Sequence, residues 1–471
     1  MRPNTLAVAA SDNDAQTAGL LRNLNNTGAP GGTVHKAGQP FTLRATAYNA
    51  AATPAVTSNY DGTPTANITS HILPAACRNG GGCTVGVGAF SASGGTVRAD
   101  TASYNEVGAF NLEMVDATFA NVDAADSSAV EREVRSTPVG VGRFVPDHFA
   151  LQAGSAVTPA CTAGGSVLSH MGEGFGVAAT LVAQNASNAT TWNYHATAYA
   201  PAVVSWVAEN SDAGTNLGAR LSGLTAAWAD GLHAVSTSNA LFGRLSPDNP
   251  DGPYDSLQLG VQLTDPDGPT LSGLDMNPAT VGNCVVSSNC SARVVGVPSS
   301  IRFGRLRLGN AAGSDLVPLQ VPLRTEFWNG AAFATNTADN CTTLAANNFA
   351  LGNWQGNLNA CETSVYFQGG ATPFAAGRLD TLRLAAPGAA NRGSVRLTAN
   401  VGAAGSGTTC LVTGGATSPV SGANRPWLFG RWDDASDPDA NAGTNYDDNP
   451  SARATFGVFR DRVLYRRKNF Q

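Results

Sequence analysis

Lysine is nearly absent from this chain of 471 residues: Lys36 and Lys468 are the only two, so the other 26 of its 28 basic residues are arginine. Charged residues make up 13%, about half the usual share. The net charge of -6 and the single scattering of arginines between apolar residues exclude the basic footprint of a nucleic-acid-binding protein. No run of about 18 apolar residues occurs, so no helix spans a membrane. The opening MRPNTLAVAASDNDAQ lacks a cationic segment followed by an apolar one, the pattern of an export signal. G-x-S-x-G, H-E-x-x-H and the P-loop are all missing, and glutamate occurs only eight times. These absences remove the hydrolases and nucleotide enzymes with short signatures. Glycoside hydrolysis needs just two opposed carboxylates, but most aspartates here sit in Gly-, Pro- and Asn-rich turns, where capping is their default role.

What is present is an even number of cysteines: Cys77, Cys83, Cys161, Cys284, Cys290, Cys341, Cys361 and Cys410. None forms C-x-x-C, and no two of the six histidines stand at metal-ligand spacing. Complete pairing in an oxidising compartment is the expectation. Cys77 and Cys83 enclose RNGGG and Cys284 and Cys290 enclose VVSSN, so each pair is expected to staple its own loop. The partners of Cys161, Cys341, Cys361 and Cys410 stay open. Cystine content with no export signal makes Met1 an expected internal start, and the chain a piece of a longer exported protein.

Short runs of alternating apolar residues recur between turn clusters, and few windows keep a helical period. Phe110, Leu112 and Met114 form one such run; Leu257, Leu259, Val261 and Leu263 form another, and Val395, Leu397, Ala399 and Val401 a third. The fold class predicted is all-β: tandem immunoglobulin-like β-sandwich domains with disulfide-stapled loops. In IRFGRLRL the apolar phase flips around Gly304, which predicts a bulge there. Residues 37–63 match residues 171–197 without a gap at ten of 27 positions, including Gly38 with Gly172, Phe41 with Phe175 and Tyr60 with Tyr194. A duplicated sandwich is the simplest account. The expected division is a linker over 1–32, sandwiches over 33–142 and 143–300, and a β-rich C-terminal domain over 301–471. In the first sandwich Tyr104, Gly108 and Phe110 follow a Tyr-x-x-x-Gly-x-Phe pattern in which the tyrosine hydroxyl is expected to pin nearby backbone.

The densest acidic segment, residues 432–450, offers Asp433, Asp437, Asp439, Asp447 and Asp448 as candidate calcium ligands, since calcium takes six to eight oxygens from flexible loops. The order of an EF-hand is missing, so possible Ca2+ is the single cofactor expectation. Trp427 and Trp432 flank this segment and are the candidate glycan-stacking residues. The closing RDRVLYRRKNF reads as a last strand with Val463 and Tyr465 inward.

The phrases GRFVPDHFAL, YDSLQLGVQLTDPDGPTLSGLDMNP, FGRLRLGNAAGSDLVPLQVPLR and NPSARATFG together resemble the C-terminal region of MshQ-like proteins, which belong with the mannose-sensitive haemagglutinin type IV pilus of Gram-negative bacteria. The resemblance runs from about residue 33 to the end and carries no catalytic residues. It implies a cell-surface or extracellular location reached through the periplasm, and a non-enzymatic structural or adhesive role in pilus biogenesis, with pilus components or host and surface glycans as partners. The alternative expectation is a calcium-assisted carbohydrate-binding module of lectin type.

Overall fold

Alternation becomes burial in every one of the three runs. Phe110, Leu112 and Met114 are buried in the strand Gly108–Asp116, Leu257, Leu259 and Val261 in Tyr254–Thr264, and Val395, Leu397 and Ala399 in Gly393–Ala399. The computed structural model describes residues 2–12, 21–26, 33–197, 199–370, 373–432 and 445–457. Among these, helices are single turns such as Ala129–Arg132, and everything else of regular structure is strand. The protein is all-β, a tandem of immunoglobulin-like sandwiches.

The first unit faces two sheets. One runs in the order Arg22–Asn23, Thr5–Asp12, Phe41–Tyr48, Thr96–Tyr104, Val85–Gly86; the other runs Val134–Arg135, Gly108–Asp116, Val139–Val145, His35–Lys36. Residues 2–12 and 21–26 therefore do not form a linker. Thr5–Asp12 pairs antiparallel with Phe41–Tyr48 over seven positions and buries Leu6 and Ala10, so its small apolar residues serve a sheet face although its flanks are polar. The second unit repeats the plan with His148–Leu151, Phe175–Gln184, Leu232–Phe242 and Leu221–Ser222 facing Leu168–His170, Arg293–Arg302, Tyr254–Thr264 and Val203–Asn210. The third places Gly304–Leu308, Leu323–Trp328 and Phe333–Thr335 in one sheet, and Ala311–Gly313, Ser451–Phe456, Gly393–Ala399 and Phe349–Gly356 in another.

One device recurs in all three units. A short early strand pairs in parallel with the unit's last described strand: His35–Lys36 with Val139–Val145, Leu168–His170 with Arg293–Arg302, and Ala311–Gly313 with Ser451–Phe456. The duplicated segment also agrees locally, because Phe41–Tyr48 and Phe175–Gln184 begin at matching positions and the preceding Gly38 and Gly172 take φ of +80° and +84°. A side chain strains at such φ, so glycine is required in both copies.

The units join without spacers. The expected junctions at 142/143 and 300/301 fall inside the strands Val139–Val145 and Arg293–Arg302. Gly304 is no bulge. The apolar phase flips there because the chain leaves one sheet at Arg302 and enters another at Gly304, with buried Phe303 between them. The cores follow this continuity: Val34, Val107 and Val145 from the first unit and Phe303 from the edge of the third all belong to the core of the second.

Candidate functional site: the joints between the sandwiches

A duplicated tyrosine fastens a loop within each of the first two units. Tyr60 donates its hydroxyl to Asp116 Oδ2 at 2.8 Å, and Tyr194, its partner in the repeat, donates to Asp265 Oδ2 at 2.8 Å. Each aspartate ends or follows a long strand of its unit, so each tyrosine fastens a loop to the closing sheet. Tyr104 is the tyrosine expected to pin a corner, through nearby backbone. Tyr104 instead packs between Phe110 and Phe144, and its hydroxyl meets the Asn193 side chain of the second unit. Asp116 and Asp265 differ in charge environment. Burial pushes the Asp116 carboxyl up, but the N–H groups of Thr118 and Phe119 and the Tyr60 hydroxyl outweigh it and hold it below the usual range. At Asp265 burial wins and the carboxyl is raised.

Beside Asp265 lies the largest fully buried side chain among the described residues. Arg143, from the end of the first unit's last strand, is fully buried; its Nε donates to the Tyr199 hydroxyl at 2.9 Å and its guanidinium pairs with Asp267 of the second unit. Asp267 is held in turn by its own N–H donating to Asp265 Oδ1 at 2.8 Å. Across the same joint Glu106 Oε1 accepts from Trp192 N at 3.2 Å and from Asn79 Nδ2 at 2.8 Å, and Glu106 Oε2 accepts from Asn193 N at 3.0 Å. Burial raises the Glu106 carboxyl in spite of these donors.

The Cys77–Cys83 bridge forms, and its loop works beyond itself: Arg78 N donates to Asn193 Oδ1 at 2.9 Å and Arg78 pairs with Asp230 at 2.7 Å. The Cys284–Cys290 bridge closes the second expected staple. The four remaining cysteines pair at long range, Cys361 with Cys410 inside the third unit and Cys161 with Cys341 from the second unit to the third. Around the last bridge Ser166 Oγ donates to Ala338 O at 2.5 Å, Asn340 Nδ2 to Ser166 Oγ at 3.0 Å, and Asn336 Nδ2 contacts His170 Nε2 at 3.2 Å. Arg244 completes this joint by donating to the carbonyls of Gly304 at 3.0 Å and Trp427 at 2.8 Å while stacking 4.0 Å over Phe303. Burial pulls its guanidinium down to about 10.

Asp433, Asp437 and Asp439 lie outside the described residues, as do Val463 and Tyr465. Asp447 and Asp448 lie where the acidic segment returns: Gly430 and Asp448 exchange backbone hydrogen bonds at 3.0 Å, and Asp448 Oδ2 accepts from Trp432 N at 2.9 Å. Among the described residues no three His, Cys, Asp or Glu side chains gather as for a metal ion. Trp427 packs against the third core and gives its carbonyl to Arg244, while the Trp432 ring lies 4.7 Å beneath the Arg305 guanidinium. Trp427 thus helps form the second joint, whereas the contacts of Trp432 with Arg305 and Asp448 lie within the third unit. Sequence reasoning finds neither Glu106 nor Arg143 and reads Asp265 and Asp267 as turn aspartates; the one available signal is a charge within or close to the end of an otherwise apolar strand.

These joints define a class of protein, a row of disulfide-bonded β-sandwiches whose contacts are as buried as their cores. Residues 106–291 match the third domain of DUF6701 and residues 302–469 match its fourth domain, and over these segments, which make up most of the chain, the protein belongs to the DUF6701 family. The curated proteins contain no match to it. Among solved structures, a three-immunoglobulin-domain titin segment in an E-to-A mutated variant and a second titin tandem each align with 82% of this chain and 92% of their own, at 9% and 7% identity. Both TM-scores are 0.21, so the sandwich assignment rests on the sheet order given above. Four disulfides suit an oxidising compartment, and no described helix is long and apolar enough to cross a membrane.

Proposed function

We propose that the chain is a non-enzymatic, extracytoplasmic strut in a surface-attachment apparatus of the type IV pilus kind. The observation that carries this reading is the Cys161–Cys341 bridge between two sandwiches, which with the buried Arg143 pair leaves neither joint free to swing. Rigid coupling of three units favours transmission of position and load over chemistry in a closing cleft. The buried carboxylates support the non-enzymatic part of the reading: Glu106, Asp265 and Asp267 serve backbone N–H groups, a tyrosine hydroxyl and Arg143. Association with the mannose-sensitive haemagglutinin-type pilus rests on the sequence resemblance.

The test is genetic. A strain lacking the chain loses surface attachment, regains it with the wild-type gene, and regains less with Cys161→Ser and Cys341→Ser together. Attachment and pilus number equal to the parent's in the deletion strain would overturn the proposal.

A further inference from the structure

Three arginines stand in one row across the outer sheet of the third unit. Arg307 is the direct cross-strand partner of Arg324, and Arg324 is the direct partner of Arg378, so three like charges occupy consecutive strands about 4.8 Å apart. Direct like-charge pairs destabilise a sheet. Compensation is incomplete. The buried Glu326 accepts from Arg305 Nε at 2.8 Å, from Arg324 Nε at 2.8 Å and from Arg307 at 3.5 Å, so one carboxylate serves three guanidinium groups. Arg378 is exposed, and among the described residues its side chain lies within ion-pair distance of no carboxylate. Arg307, Arg324 and Arg378, with Asp380, Gly309, Pro322 and Leu323, line a hollow of about 190 Å³.

Four arginines against two carboxylates concentrate positive charge on one face of a protein whose net charge is -6. Guanidinium groups match planar and tetrahedral oxyanions in bidentate fashion. We propose that the row Arg307–Arg324–Arg378 and its hollow bind the carboxylate or sulfate groups of an acidic polysaccharide. One feature favours a polysaccharide over other polyanions: exposed Pro322 lines the same hollow and offers an apolar contact to a sugar ring while the arginines hold the anion at its edge. The inference gives a ligand to the adhesive side of the reading above, but stands on strand register, so its failure leaves the strut intact.

The experiment titrates the full chain at low salt with polygalacturonate, dextran sulfate, neutral dextran and polyglutamate, following affinity electrophoresis and heat. Wild type is expected to bind one or both acidic polysaccharides, in a salt-dependent way, and neutral dextran not at all. Binding to dextran sulfate alone assigns sulfate, and to polygalacturonate alone carboxylate. Arg378→Ala and Arg307→Gln should each weaken binding at least tenfold, and Arg378→Ala should leave thermal stability unchanged or raised, since it removes repulsion. Arg98→Ala, an exposed arginine of the first unit, should bind as wild type. No binding by wild type, unaltered binding by both variants, or equal affinity for polyglutamate would overturn the proposal.

Discussion

At the residue scale the molecule depends on aspartates that answer tyrosines. Tyr60 spends its hydroxyl on a carboxylate that already takes two backbone N–H groups, and a hydrogen bond to a charged acceptor contributes about 1.5–3 kcal/mol. Tyr60→Phe should therefore lower the stability of the first unit by about that much at neutral pH. Because Asp116 is held below its unfolded value, its contribution is complete above roughly pH 4 and is lost as pH falls through the depressed folded value. The penalty of Tyr60→Phe should shrink at pH 2.5. Calorimetry at the two pH values checks this; an equal loss at both would mean that the hydroxyl is not held by the carboxylate. The repeat match pairs Tyr60 with Tyr194, while the corner pattern singles out Tyr104. Spacing identifies a tyrosine near a corner, whereas the partner's identity depends on which distant aspartate the sheet delivers.

At the scale of elements, strands were readable and their ends were not. Period-two burial marked Gly108–Asp116, Tyr254–Thr264 and Gly393–Ala399 because one face of each meets a core. The flip at Gly304 was visible too, but a change of sheet and a bulge leave the same trace in sequence. Arg143 shows what lay beyond reach: inside an apolar run it reads as an outward charge, and only the meeting of two units turns it inward. Breaking a buried ion pair by removing one partner costs about 3–5 kcal/mol, since the other charge is left uncompensated. Arg143→Ala should destabilise the second unit by about that amount, read as a lower urea midpoint for the Tyr194 and Trp228 fluorescence change. It should also expose the joint to limited proteolysis. An unchanged midpoint would remove Arg143 from the list of groups that hold the units together.

At the scale of the whole molecule, cystine connectivity decides where tension travels. Load applied to the two ends passes from Cys161 directly to Cys341, and from Cys361 directly to Cys410. The 180-residue separation of the first bridge closes most of the second sandwich into a loop that tension bypasses, and the 49-residue separation of the second does the same for part of the third. An extended chain gains about 3.3–3.6 Å per residue, so these loops hide about 600 Å and about 170 Å of contour length. Single-molecule extension of the full chain should show neither length under oxidising conditions. Cys161→Ala with Cys341→Ala should release the longer one, with unfolding of the second sandwich as an event of its own. If the oxidised wild type already yields the full contour length, the bridge does not carry the load, and the rigid joint between the second and third units must rest on Arg244 and the Asn336, Ser166 and Asn340 contacts alone.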